Sequence, residues 1–135
     1  MTQERLITQI DYARAGKITP QMEAVAAKEH KTPEEIRAGV AKGRIAIPAN
    51  IHHAALSPEG VGEGMRTKVN VNLGISGDLM NAEMELEKVR TAIELGAEGI
   101  MDLSNHGKTH DFRKHLIDMS PAMIGTVPMY DAIGY

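Results

Sequence analysis

The 135-residue sequence contains no cysteine. This absence excludes disulfide bonds, zinc-thiolate sites and any iron-sulfur cluster ligated by this stretch of chain. Aromatic side chains are also scarce, at 3% of residues. The core must therefore be built mainly from aliphatic side chains and from the nine methionines.

A strong net charge and long apolar runs are missing as well. Fifteen basic and eighteen acidic residues give a formal net charge of -3, which offers no electrostatic attraction for nucleic acid or anionic lipid. No apolar segment approaches the ~20 residues of a membrane span, and residues 1–17 contain no hydrophobic signal segment. We therefore expect a cytoplasmic protein without nucleic-acid or membrane partners.

Residues 1–65 are predicted to form a small N-terminal domain of helices and loops. Thr32-Pro33-Glu34-Glu35 has the pattern of a capping box with proline at the first helical position. Thr19-Pro20 begins an earlier helix in the same way. The side chains expected to be buried from these two helices are Met22, Val25, Ala26, Ile36 and Val40. Over residues 44–65 the composition shifts toward proline, glycine, asparagine, histidine and serine, which predicts a loop and a domain boundary near residue 65.

Residues 66–135 alternate between strand and helix patterns. Lys68–Ile75 has the period-2 alternation of a strand, and Gly99–Leu103 and Ala122–Pro128 are two further strand candidates. Asn81–Leu95 and Thr109–Met119 are predicted amphipathic helices. The side chains expected to face the core from the helices are Ala82, Leu86, Val89, Ile93, Phe112, Leu116 and Ile117. This βαβαβ order predicts parallel strands joined by right-handed crossovers.

A regular spacing extends this prediction. Asn72, Met101 and Tyr130 follow one another at equal intervals near the predicted strand ends. Eight units of this length would need about 232 residues, close to the ~250 typical of a (β/α)₈ barrel. The predicted fold is therefore α/β: a small N-terminal domain at 1–65, then the first three βα units of an incomplete barrel at 66–135. Because an open strand edge invites pairing, we expect either a fragment or a missing partner, with a complete small open sheet as the alternative.

Ligands of parallel α/β folds bind at the carboxyl ends of the strands. The candidate positions are Asn72, Met101, Asp102, Ser104 and Tyr130. An amide such as that of Asn72 can orient a ligand through both a donor and an acceptor, and a tyrosine can stack or form a hydrogen bond. A satisfied loop amide, a core methionine and a surface tyrosine are the structural alternatives.

Three other motifs give weaker indications. The glycine-rich segment 60–64 precedes a strand and not a helix, which argues against a phosphate loop. His52 and His53 are adjacent and lack the spacing of a helical metal pair, so no metal site is predicted. A cluster of basic residues could form an anion-attracting rim or a solvated face: His106, Lys108, His110, Arg113, Lys114 and His115.

Five segments, taken together and in order, resemble the ThiC family of radical S-adenosylmethionine enzymes. They are Ile18–Met22, Ile45–Asn50, Gly62–Asn72, Met101–Ser104 and Gly125–Tyr130. The resemblance implies an N-terminal domain, a (β/α)₈ barrel and a C-terminal region with a three-cysteine [4Fe-4S] motif. The present chain would be the N-terminal domain and the first three barrel strands.

The resemblance also implies a substrate, 5-aminoimidazole ribotide, that is rearranged by a radical formed from S-adenosylmethionine. Asn72, Met101 and Tyr130 match the substrate-contacting positions of the family's first three barrel strands. The family further implies a [4Fe-4S] cluster, a divalent metal (zinc or iron) and a homodimer when full-length. None of the cluster or metal ligands matches a residue of this chain, so we do not expect these residues alone to be catalytic.

Two product branches share this fold and substrate. Ile75-Ser76 after Gly74, Asn105-His106 after Ser104, and Asp131 after Tyr130 depart from the pattern usual in the thiamin branch. These departures favour 5-hydroxybenzimidazole synthesis, which supplies the lower ligand of cobamides in anaerobes. Phosphomethylpyrimidine synthesis for thiamin is the alternative, and a non-catalytic binding or assembly module is a second one.

Overall fold

The computed structural model describes residues 7–77, 81–107 and 109–133, and its contacts divide the chain into two units. The first unit comprises residues up to 49 together with 58–67, and the second comprises 50–57 and 68 onwards. Hydrogen bonds join the short segment 50–57 to the rest of the second unit. The Ser57 N–H donates to the Pro121 carbonyl at 2.9 Å, and His53 Nε2 lies 2.7 Å from the Ser120 carbonyl oxygen.

Three short helices make up most of the first unit. They are α1 (Gln9–Arg14), α2 (Pro20–Lys28) and α3 (Pro33–Ala41). Each helix is preceded by a threonine whose hydroxyl accepts a backbone N–H of the first turn: Thr8, Thr19 and Thr32. The predicted starts of α2 and α3, including the capping box at Thr32 and Glu35, are confirmed, whereas α1 was not predicted.

The first unit has an aliphatic core. The buried residues are Ala13, Met22, Val25, Ala26, Ile36, Val40, Ile45 and Ile47, which includes every side chain predicted to be buried from α2 and α3. Two strands of two residues, β1 (Ile45–Ala46) and β2 (Val61–Gly62), pair antiparallel at its side. A Cβ at Gly62 would lie 2.1 Å from the Arg44 carbonyl oxygen, so close packing requires a glycine at this position of the glycine-rich segment.

The second unit is a parallel three-stranded sheet with one helix in each of its two connections and a third helix after the last strand. The strands are β3 (Asn70–Leu73), β4 (Gly99–Asp102) and β5 (Met123–Thr126), in the spatial order β3-β4-β5. The helices are α4 (Ala82–Glu94), α5 (Thr109–Met119) and α6 (Pro128–Ile133). The βαβαβ order and the parallel pairing are confirmed, although β3 is shorter than the predicted strand. The closed barrel stays a prediction.

The prediction of equally spaced βα units is wrong for the second interval, from Met101 to Tyr130. In the sheet register Asn72 lies opposite Met101, as the spacing predicts, but Met101 lies opposite Gly125 and not opposite Tyr130. The second interval is shorter because α5 has 11 residues and α4 has 13, and the loops around α5 are shorter too. Tyr130 therefore lies beyond the strand, inside α6.

The apolar cluster of the second unit lies between the sheet and the helices α4 and α5. Its buried members are Leu73, Ile75, Val89, Ile100, Phe112, Leu116 and Ala122. Ala82, which was predicted to face the core, is exposed, and α4 buries Glu85 instead. The Glu85 carboxylate is satisfied there because it accepts the Gly74 N–H at 3.0 Å and a hydrogen bond from Lys88 Nζ at 2.5 Å.

Candidate ligand-binding edge of the sheet

Two of the three predicted site residues are neighbours in the sheet. Asn72 on β3 and Met101 on β4 are paired in register, and residues paired in this way project from the same face. Asn72 is exposed and Met101 is half-buried. The third predicted residue, Tyr130, is 40% exposed and lies in α6, past the end of β5, so it is outside this row.

A second amide lies on the same face as Asn72. Asn70 is two positions earlier on β3 and is also exposed. Its Nδ2 donates a hydrogen bond to Asn72 Oδ1 at 2.9 Å. The period-2 pattern of β3 puts these two side chains on one face, but it does not indicate that they bond to each other.

Glycines on the neighbouring strands leave room for the side chains of this face. Gly125 lies opposite Met101, and a Cβ at Gly125 would be 2.8 Å from Met101 Cε and 3.0 Å from Sδ. Gly99 lies opposite Asn70, and a Cβ there would be 3.2 Å from Asn70 Oδ1. Neither glycine was predicted to belong to the site, because the role of each depends on the strand register.

Asp102 follows Met101 and projects from the opposite face of β4. It is completely buried. Its Oδ1 accepts hydrogen bonds from Ser104 N at 2.9 Å and Ser104 Oγ at 2.5 Å, and its Oδ2 accepts one from Arg113 Nε at 2.5 Å. Both oxygens are therefore occupied within the protein, and Asp102 serves the site by holding the loop after β4.

Ser104 ties that loop to the segment that follows β3. The side chain is fully buried, and Oγ accepts the Ile75 N–H at 2.9 Å. Two backbone bonds run beside it, from the Leu103 N–H to the Leu73 carbonyl and from the Asn105 N–H to the Ile75 carbonyl. A Cβ at Gly74 would lie 2.7 Å from Ser104 N, so the close approach of the two segments requires glycine.

Arg113 belongs neither to an anion-attracting rim nor to a solvated face, the two alternatives for the basic cluster. Its guanidinium is paired with Asp102, its side chain is only 18% exposed, and Nη2 also donates to the Ser104 carbonyl at 3.4 Å. His106, His110 and His115 are exposed. Lys108 lies outside the described residues. Arg113 is therefore a member of the basic cluster that stabilises the end of β4 from inside the second unit.

The parts of the chain that the structure describes contain neither a cluster of metal-binding side chains nor a membrane-spanning helix. No three histidine, aspartate or glutamate side chains there lie close enough together to hold a metal ion. His53 is buried and bonded to the Ser120 carbonyl, which gives it a structural role. Within the same ranges no helix is long and apolar enough to cross a bilayer.

The sequence profile of the radical SAM ThiC family matches residues 8–135. The chain belongs to this family. It is 64% identical over 128 residues to the phosphomethylpyrimidine synthase of Alkaliphilus metalliredigens (strain QYMF) and 59% identical over 128 residues to that of Clostridium botulinum (strain Hall). These alignments cover 95% of the chain but 29% of each relative, so the chain spans less than a third of the length of these proteins. The family resemblance of the five segments is confirmed.

Radical SAM enzymes use a [4Fe-4S] cluster and S-adenosylmethionine, but the residues of this chain do not fit the cluster. The chain has no cysteine to ligate iron, and its described residues contain no group of metal-binding side chains. No step of the radical chemistry is therefore assigned to these residues. The geometry of Asn72 and Met101 suits the binding and orientation of a small polar ligand on their face of the sheet.

Proposed function

We propose that this chain is the N-terminal portion of a phosphomethylpyrimidine synthase and supplies part of its substrate-binding surface. The observation that carries the proposal is the 64% and 59% identity to relatives of that name. The departures at Ile75-Ser76, Asn105-His106 and Asp131 favoured 5-hydroxybenzimidazole synthesis. The relatives do not support that branch, because identity over 95% of the chain outweighs a few local departures. It is the second candidate.

The proposed substrate is 5-aminoimidazole ribotide, with Asn72, Met101 and Tyr130 as its contacts. Asn72 and Met101 are adjacent in register, which supports a shared binding surface. The Asn72 amide can form a hydrogen bond with a polar atom of the substrate, and the Met101 thioether can pack against an apolar face. For Tyr130 the support is the family resemblance, because α6 carries it away from the row formed by the other two.

Product analysis of the full-length, cluster-reconstituted enzyme tests this proposal. The enzyme is supplied with 5-aminoimidazole ribotide, S-adenosylmethionine and a reductant. We expect hydroxymethylpyrimidine phosphate as the product. Formation of 5-hydroxybenzimidazole would establish the second candidate instead. If the enzyme has a full cluster and still forms neither product, the non-catalytic binding or assembly role is the one that remains.

A further inference from the structure

The two amides on β3 form a pair with a definite direction. We propose that Asn70 is a positioning residue that fixes the carboxamide of Asn72, so that Asn72 Nδ2 faces the ligand as a hydrogen-bond donor. The inference rests on the proposed function, because it takes Asn72 as a substrate contact. Asn70 acts through Asn72 and needs no contact of its own with the substrate.

The direction of the bond between the amides supports this role. A carboxamide has an acceptor oxygen and a donor nitrogen at the end of one torsion angle, and rotation exchanges them. Asn70 Nδ2 donates to Asn72 Oδ1 at 2.9 Å, which turns the oxygen of Asn72 toward Asn70 and uses one of its two lone pairs. Asn72 Nδ2 has no hydrogen-bond partner among the described residues. The donor end is therefore the one left for a ligand.

The neighbouring strand allows Asn70 to take this position. Gly99 lies opposite Asn70 in the register and has no side chain to occupy the space. A Cβ at Gly99 would lie 3.2 Å from Asn70 Oδ1 and 3.8 Å from Asn70 Cβ, so even an alanine would crowd the amide. The Asn70 side chain can thus lie across β4 while its nitrogen reaches Asn72.

The orientation of Asn72 restricts the chemistry of the ligand. A donor at Nδ2 requires an acceptor on the ligand, such as an unprotonated ring nitrogen or a ribotide oxygen. A ligand that offered only a donor at this point would leave two N–H groups facing each other. The amide pair therefore selects for the acceptor side of the substrate.

Calorimetric binding of 5-aminoimidazole ribotide to the full-length protein tests the inference without requiring turnover. We expect Asn72→Ala to weaken binding about tenfold and Asn70→Ala to weaken it about threefold, since the second variant only frees the Asn72 amide to rotate. Asn70→Asp should weaken binding more than Asn70→Ala, although it has the shape of asparagine. Its carboxylate accepts from Asn72 Nδ2 and turns Asn72 Oδ1 toward the ligand.

Double variants separate this mechanism from a direct effect of residue 70 on the substrate. The losses caused by Asn70→Ala and Asn70→Asp should disappear when Asn72 is already alanine, whereas charge repulsion of the substrate by an aspartate at position 70 would persist. Thr126→Ala is the matched control, because Thr126 is an exposed strand-end residue and follows Gly125, which puts it on the opposite face. It should bind like the wild type.

The outcomes distinguish this inference from the function on which it rests. Tight binding by the wild type with unchanged binding by Asn70→Ala would overturn the inference alone. Losses at Asn70 and Asn72 that simply add would overturn it as well. No binding by the wild-type protein would overturn the substrate assignment and the inference together.

Discussion

The helix starts of the first unit and the strand ends of the second are both held by polar side chains, but in different surroundings. At the start of α3 the Thr32 hydroxyl and the Glu35 carboxylate are exposed, and their bonds join residues three apart. At the end of β4 Asp102 and Ser104 are completely buried. Their bonds reach Arg113 on a helix and Ile75 beyond another strand.

This contrast indicates which contacts the fold depends on most. A lost exposed cap can be replaced in part by water, so it costs about 0.5–2 kcal/mol. Removing one partner of a buried ion pair leaves the other charge without solvent and costs about 3–5 kcal/mol. The strand ends, which carry the candidate site, should therefore tolerate substitution less well than the helix starts.

The largest effect is expected for Asp102→Ala. This substitution leaves the Arg113 guanidinium, 18% exposed, without its carboxylate and removes the acceptor of the Ser104 hydroxyl. The free energy of unfolding, measured with urea, should fall by about 3–5 kcal/mol. Asp118→Ala, at an exposed position of α5, is the control and should change it by less than about 0.5 kcal/mol. Equal effects of the two variants would contradict the contrast.

Ser104→Ala should have the next largest effect. The Ile75 N–H loses its acceptor in a buried environment, which costs about 1–3 kcal/mol. Because Ser104 and Asp102 share one network, urea unfolding of the double variant should show a loss smaller than the sum of the two single losses. Strict additivity would indicate that the two residues act independently.

The helix starts could be predicted from the sequence because their bonds join neighbours in the chain. Thr32-Pro33-Glu34-Glu35 contains both partners of its capping box within four letters. The start of α1 was missed because its box closes with Asp11, where the recognised pattern has glutamate or glutamine, and because the helix has only six residues.

The strand ends could be predicted only in part. The period-2 pattern put Asn70 and Asn72 on one face, and the βαβαβ order put Met101 beside them. The partners of Asp102 depend on how α5 packs against the sheet, and the role of Gly125 depends on the register, neither of which is a local pattern. Equal spacing of the βα repeats predicts Tyr130 beside the strand ends, and this prediction is wrong because the second βα repeat is shorter than the first.

Thr32→Ala tests the exposed contacts at the helix starts. The Glu35 N–H loses the hydroxyl that accepts its hydrogen bond, and the Glu35 carboxylate loses the hydroxyl that donates to it. The free energy of unfolding should fall by about 1 kcal/mol. Thr67→Ala, at an exposed position in the same unit, is the control. A loss as large as that of Asp102→Ala would remove the distinction between exposed and buried contacts.

The smallest effect is a pH dependence of the same capping box. Hydrogen bonds from the Thr32 hydroxyl, and then from the Thr32 N–H, lower the pKa of Glu35 below its ordinary value. A carboxylate with a lowered folded-state pKa stabilises the fold above its unfolded pKa, about 4.3, and that contribution is lost as the pH falls through the folded pKa. Unfolding curves recorded between about pH 3 and pH 6 should therefore show a steeper acid loss for the wild type than for Glu35→Gln. Glutamine can complete the capping box but does not titrate, so the difference between the two curves isolates this carboxylate from the others. Parallel curves would mean that the Glu35 charge contributes nothing and that the cap depends on its geometry alone.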